Sequence, residues 1–165
     1  MTASPRLALP FLTAGQAQKE FWHNEALQTL DIIVAAAVED GPMDTPPASP
    51  VVGACYIVGS APTDMWIDYP VALAGYSSGG WRFVAPVEGL TVYQKAQGLW
   101  ASFRAGSWEI GLMRGSSVVI GDKQVVGSRT AAIPSASGGT TVDSEARSTI
   151  DLILAAMRQH GLIET

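Results

Sequence analysis

Between Val51 and Gly127 the chain is a succession of short runs rich in Val, Ile, Tyr, Phe and Trp, each closed by a glycine-containing turn. β-Branched and aromatic residues suit a pleated surface, and turns this closely spaced leave room only for strands that reverse on their neighbours. Ser77-Ser-Gly-Gly80 is preceded by Tyr76 and followed by Trp81; Arg104-Ala-Gly-Ser107 lies between Phe103 and Trp108 in the same way. Val118-Val-Ile-Gly-Asp-Lys-Gln-Val-Val126 reads as a third hairpin, with Gly121-Asp122 fitting a type II′ turn. The zone therefore predicts antiparallel β-structure, and two such turn units are too few for a solenoid or propeller.

Helical patterns flank this zone, so the predicted class is α+β: an antiparallel β-sheet domain with an N-terminal arm and helix and a C-terminal helix. We divide the chain into 1–40, 41–127 and 128–165. In the first segment Pro5 and Pro10 predict an extended arm broken at Gly15, and Asn24 is placed as the N-cap of a helix. Leu27, Leu30, Val34 and Ala37 give that helix an apolar stripe, widened by Ile32, Ile33 and Val38. Pro42, Pro46, Pro47 and Pro50 predict an irregular connector into the sheet. Ser128 to Thr141 has the composition of a linker. The last helix, about Asp143 to His160, is capped by Asp143 or Thr140 and ends in a Schellman motif at Gly161-Leu162. Its residues Ala146, Ile150, Ile153 and Met157 form a heptad-like seam that fits either its own sheet or a small multichain bundle.

Charged residues make up 15% of the 165-residue chain, against about 25% in typical soluble domains. Depletion on this scale points to surface covered by other subunits, with a large β-core as the alternative source of the same numbers. The net charge is −5 and the ten basic residues are dispersed, which argues against nucleic-acid or anionic-membrane binding. The lone Cys55 permits no intrachain disulfide and reads as a small buried residue of a strand. His23 and His160 do not form a metal-binding pair, and we expect no metal or other cofactor. No secretory signal pattern or membrane-length apolar run is visible, which predicts synthesis in the cytoplasm.

Nucleophile-elbow, phosphate-loop and dinucleotide motifs are missing from the sequence. Asp64, Asp68 and Glu88 are the one carboxylate set that would suit glycoside cleavage, and their neighbouring prolines and glycine favour a place in turns instead. Aromatic rings carry more of the argument. Trp66, Tyr76, Trp81, Trp100 and Trp108 are candidates for stacking on sugar faces, and Tyr93 belongs to the same concentration of rings; in alternating strands, part of this set must instead point into the core.

The opening of the chain, through Leu9-Pro10, Ala14-Gly-Gln-Ala-Gln-Lys19, His23-Asn-Glu-Ala-Leu27 and Leu30-Asp31, resembles a domain family of unknown function found in alphaproteobacterial prophages and gene transfer agents. Pro46-Pro47, Tyr56-Ile-Val-Gly59, Gly80-Trp-Arg-Phe83, Pro86 and Glu88-Gly89 extend the resemblance to about Trp108. The chain departs from the family at Ala54-Cys55, where a polar pair is common, and at Tyr76, where tryptophan is common. The resemblance implies a non-enzymatic virion protein (a head spike, capsid decoration or tail-fibre component) made in the host cytoplasm. Its implied partners are other virion proteins and host capsular polysaccharide, with a homotrimer favoured, and it brings no catalytic residues. The alternatives are a polysaccharide-cleaving enzyme of the particle and a free carbohydrate-binding module.

Overall fold

A computed structural model describes residues 3–12 and 19–164; the expected break at Gly15 and the Gly-Gln-Ala-Gln stretch lie outside the described residues. The fold is α+β. Chain contacts divide it into two compact units, Met1–Leu112 and Met113–Thr165, so that the hairpin at Val118–Val126 belongs with the C-terminal helix.

Among the described residues the first unit holds helix α1 (Lys19–Ile33) and eight strands: β1 (Ala37–Val38), β2 (Asp40–Met43), β3 (Cys55–Val58), β4 (Leu73–Ser77), β5 (Gly80–Val84), β6 (Thr91–Gln94), β7 (Leu99–Arg104) and β8 (Ser107–Ile110). They form two four-stranded sheets, ordered β2-β3-β4-β5 and β1-β6-β7-β8. The hairpins β4–β5 and β7–β8 are antiparallel across the two Gly turns read from the sequence. Ala105 and Gly106 both have positive φ, the combination that a tight two-residue hairpin turn requires.

Residues 37–43 correct the expected helix and connector. Helix α1 stops at Ile33, Ala35 adopts positive φ, and Ala37 and Val38 enter a strand. β1 runs parallel to β6 and β2 parallel to β3, so the architecture is antiparallel-rich with a parallel edge on each sheet. The step between sheets occurs at Glu39, whose N–H donates to the Cys55 carbonyl at 2.7 Å while its own carbonyl accepts from Ala96 at 3.1 Å. Pro42 is tolerated within β2 because this is an edge strand. Gly41 is required there: at φ +129° a Cβ would lie 2.4 Å from the Ile57 carbonyl oxygen. Buried Gln94 donates its side-chain amide to the Gly41 carbonyl and so ties β6 to β2.

The core lies on both faces of the β3–β4 pair. On one face Ile32, Ala36, Val38, Cys55, Ile57, Leu73, Val92 and Ala101 pack together, and Val84, Trp108 and Ile110 close the cluster. On the other, Trp66, carried on a single 3-10 turn (Asp64–Trp66), packs with Val58, Ala72 and Ala74 under Met43, Tyr56, Trp81 and Phe83. Burial pushes the Cys55 thiol up to about 11, with the Arg6 charge acting in the opposite direction.

The face of α1 that docks differs from the predicted stripe. Ile32 is buried, whereas Leu30 and Val34 are exposed. Ile32 seats over Gly75 so closely that a Cβ there would come within 2.7 Å of its side chain. One turn and more away, Glu25 accepts two hydrogen bonds from Arg82 on β5, at 2.9 and 3.1 Å. The sheet offers a glycine and an arginine at these positions, so the docking face is mixed rather than a leucine stripe.

The arm folds back instead of extending. Ala3 bridges Pro10, the Ser4 N–H donates to the Leu9 carbonyl at 2.9 Å, and Ala8 takes positive φ. Its anchor is the buried carboxylate of Asp31, which accepts from the Ser4 hydroxyl at 2.7 Å and from the backbone N–H groups of Arg6 and Leu7 at 2.9 and 2.5 Å. The Arg6 guanidinium donates to the carbonyls of Asp31, Ile32 and Ala35, which satisfies the C-terminal end of α1. Asn24 lies inside α1 rather than at its N-cap, and its amide exchanges two hydrogen bonds with the Leu12 backbone, at 2.9 and 3.1 Å.

In the second unit, β9 (Val118–Ile120) and β10 (Lys123–Val126) pair antiparallel. Gly121 and Asp122 both have positive φ, which makes the turn type I′ rather than II′; aspartate is among the few side chains that tolerate this region. Helix α2 (Ser144–Gln159) is capped by Asp143, which accepts from the Ala146 N–H at 2.8 Å. Gly161 at φ +70° closes the helix, with Leu162 N–H donating to Met157 and Gly161 N–H to Arg158, the Schellman pairing. Residues 128–141 are held against α2. Arg158 donates to the Ile133 carbonyl at 2.6 Å, Arg147 donates to the Ala136 and Gly138 carbonyls, and Thr130 bridges Ile163. Leu154 and Ile163 are the buried hydrophobic residues of this unit. Leu162 is about half exposed.

Asp31 organises the arm and the end of α1 together, so its loss leaves several buried donors without an acceptor. Asp31→Ala is expected to cost about 3 kcal/mol of unfolding free energy, measured by urea titration of the full chain. A change below about 0.5 kcal/mol would remove the clamp from this account.

Candidate functional site

The two-sided core sorts the aromatic candidates. Trp66 has no exposed surface. Its ring meets Trp81 edge-on at 5.1 Å and Tyr56 at 6.1 Å. Trp81, half-buried, also touches Tyr56 and Tyr76, with centroids 6.0 and 4.9 Å away, so three rings form a rim over the Trp66 cluster. Trp108 points into the first cluster, 5.4 Å from Phe103, and donates its indole N–H to the Val71 carbonyl at 2.8 Å. These four candidates are structural in whole or in part.

Trp100 differs, with 56% of its surface exposed. Along β7, Ala101 and Phe103 turn inward; Trp100, Ser102 and Arg104 take the opposite face. On β6, Val92 and Gln94 are buried while Thr91 and Tyr93 face outward. Register then places Tyr93 directly opposite Trp100, Thr91 opposite Ser102, and Ser102 opposite Glu109 of β8. The Tyr93 and Trp100 rings meet at 5.4 Å and 66°, forming an exposed corner. Gly98 borders it: a Cβ at that position would lie 3.6 Å from the Tyr93 hydroxyl.

Polar groups surround this corner. The Thr91 and Ser102 hydroxyls are 3.0 Å apart. Glu109 lies within 4.0 Å of Arg104, and Lys95 pairs with Glu39 at 2.7 Å at the neighbouring end of β6. Flat rings thus stand beside hydroxyls, a carboxylate and cations on one sheet face, an arrangement able to stack on an apolar ring face and exchange hydrogen bonds at its edge. Sequence alternation alone could have grouped Thr91, Tyr93, Trp100, Ser102 and Arg104, since each occupies the same parity of its strand. The cross-strand pairing that joins the two groups was the missing information.

Of the carboxylates, Glu88 accepts from the Ala105 N–H at 2.9 Å and so supports the β7–β8 turn. Asp64 begins the 3-10 turn at positive φ and accepts from the Thr63 hydroxyl at 3.4 Å, and Asp68 is exposed just after that turn.

Residues 23–109 match the family described as Protein of unknown function (DUF2793). The chain belongs to this family. No curated protein matches it. The DUF2793 match begins inside α1 and ends at Glu109, so it contains both sheets almost entirely, the Trp66 turn and the Tyr93–Trp100 face. The Ser4 and Arg6 anchors precede it, and β9, β10 and α2 follow it.

Two tryptophans of this DUF2793 protein should respond oppositely to truncation. Trp66→Ala is expected to cost about 3–5 kcal/mol of stability, the usual loss for a buried large aromatic. Trp100→Ala should stay within about 0.5 kcal/mol of the wild type, as surface substitutions do. Chemical denaturation of both variants checks the assignment; comparable losses would contradict it.

Proposed function

We propose that this DUF2793 protein is a non-enzymatic component of a phage-type particle that binds host surface polysaccharide through the Tyr93–Trp100 face. The observation that carries the proposal is the exposed aromatic corner set beside the Thr91, Ser102 and Glu109 row. Sugars present C–H faces to rings and hydroxyls at their edges, and the face supplies a partner for each. The low charge content supports a life within an assembly, as does the exposure of Ile150 and Ile153 on α2. Association of copies through Ala146, Ile150, Ile153 and Met157, as a homotrimer, would multiply weak sugar contacts through avidity. The resemblance of the opening segment to prophage and gene-transfer-agent proteins supports placement on a head spike, capsid decoration or tail fibre. The structural role of Glu88 favours binding over cleavage.

Capsular polysaccharide from the bacterium that carries the chain, immobilised on a sensor surface, tests the reading. The wild-type protein should bind without releasing reducing ends. Trp100→Ala and Tyr93→Ala should each weaken binding at least about tenfold, or 1.4 kcal/mol. Unchanged binding in both variants, or steady release of reducing ends, would overturn it.

A further inference from the structure

The first unit has three arginines, and the fold commits two of them. Arg6 donates to three carbonyls at the end of α1, and Arg82 makes two hydrogen bonds to Glu25. Arg104 differs. Its Nε stands 4.0 Å from the Glu109 carboxylate, past hydrogen-bond length. The Arg104 side chain is 50% exposed and that of Glu109 only 23%, so a ligand approaching this face meets the guanidinium first.

The backbone that carries Arg104 is well fixed. Arg104 closes β7 and pairs in register with Ser107 across the turn. Glu88 braces that turn through the Ala105 N–H, and the Ser107 hydroxyl donates to the Arg104 carbonyl at 3.4 Å. Trp100, Ser102 and Arg104 share the outward face of β7. Four residues at about 3.4 Å each set the ring and the cation roughly 14 Å apart along the strand. The Thr91–Ser102 hydroxyl pair lies between them. A ring, two hydroxyls and a guanidinium therefore stand in line over a length greater than one sugar.

We infer that Arg104 reads a carboxylate on the bound polymer, so that the preferred ligand is an acidic polysaccharide with a uronic-acid type of sugar a few units from the one stacked on Trp100. The inference rests on the polysaccharide binding proposed above and names its class. A guanidinium offers two parallel N–H donors that match a carboxylate, a geometry that an ammonium lacks. The chain's net charge of −5 supplies no general attraction for polyanions. Selection of an acidic polymer would then depend on this one contact and on its spacing from the stacked ring.

The host polysaccharide, before and after carbodiimide activation and borohydride reduction, provides the test. Reduction turns each carboxylate into a primary alcohol and leaves sulfate and phosphate esters in place. Wild-type affinity should fall at least about tenfold on the reduced polymer, the scale of one hydrogen-bonded charge contact. Arg104→Gln should show the same loss on the native polymer and no further loss on the reduced one, as coupled partners do. Arg104→Lys should fall between the two. Trp100→Ala, by contrast, should weaken binding of both forms. Equal wild-type binding of both forms, or an Arg104→Gln loss that is the same on both, would overturn the assignment; Trp100-dependent binding would in that event leave the polysaccharide reading standing. Absence of wild-type binding to either form would remove both. Urea titration checks that the variants fold, and if Arg104→Gln does not, Arg104→Lys is judged by the same comparison.

Discussion

The β3–β4 pair is buried on both faces, and the rest of the first unit follows from that constraint. Ile57 and Leu73 have no exposed surface on one side, nor have Val58 and Ala74 on the other. A strand pair of this kind needs two covers. Helix α1 and the β1-β6-β7-β8 sheet supply one, and the Trp66 turn with its ring cluster supplies the second. Two glycines permit close approach, one of a cover and one of the neighbouring strand. Gly75 admits Ile32, and Gly41 lets the β2 backbone lie against Ile57. Ser4 and Arg6, which precede the family's matched span, then hold the end of α1 in place through Asp31 inside it.

That arrangement divides the aromatic residues by task. Trp66 and Trp108 are consumed by the interior, and Tyr56, Tyr76 and Trp81 form the rim over Trp66. What remains for a ligand is the outward side of β6 and β7, where the inward side is fixed by Val92, Ala101 and Phe103. The Tyr93–Trp100 corner is therefore rigidly backed by core strands, which limits the ordering cost of binding. On the proposed function, such a face would suit repeated weak recognition of an extended polymer.

Much of this was legible in the residues, for identifiable reasons. Ser77–Gly80 and Arg104–Ser107 declared their hairpins because local turn chemistry dictates them. Asp143 and Gly161 declared both ends of α2 for the same reason. What could not be read depended on distant partners. Asn24 has the chemistry of a cap, yet Leu12 engages it from inside the helix. Ala37 and Val38 continue a helical period, yet β6 draws them into a parallel ladder. The buried acceptor Asp31 sits among apolar residues with nothing local to mark it, because its donors come from the folded arm. For the candidate site, each strand showed its own alternation; the register that sets Tyr93 against Trp100 is a tertiary fact.

The five tryptophans offer a direct readout of the central claim, that the ligand-facing aromatic surface is the one on β6 and β7 rather than the Trp66 rim. Indole N–H resonances of the 15N-labelled protein, assigned through single substitutions, can be followed as host polysaccharide is added. The account predicts that the Trp100 signal moves while those of Trp66, Trp81 and Trp108 stay in place. Movement of Trp81 with a stationary Trp100, or no movement at any indole under saturating polysaccharide, would contradict it.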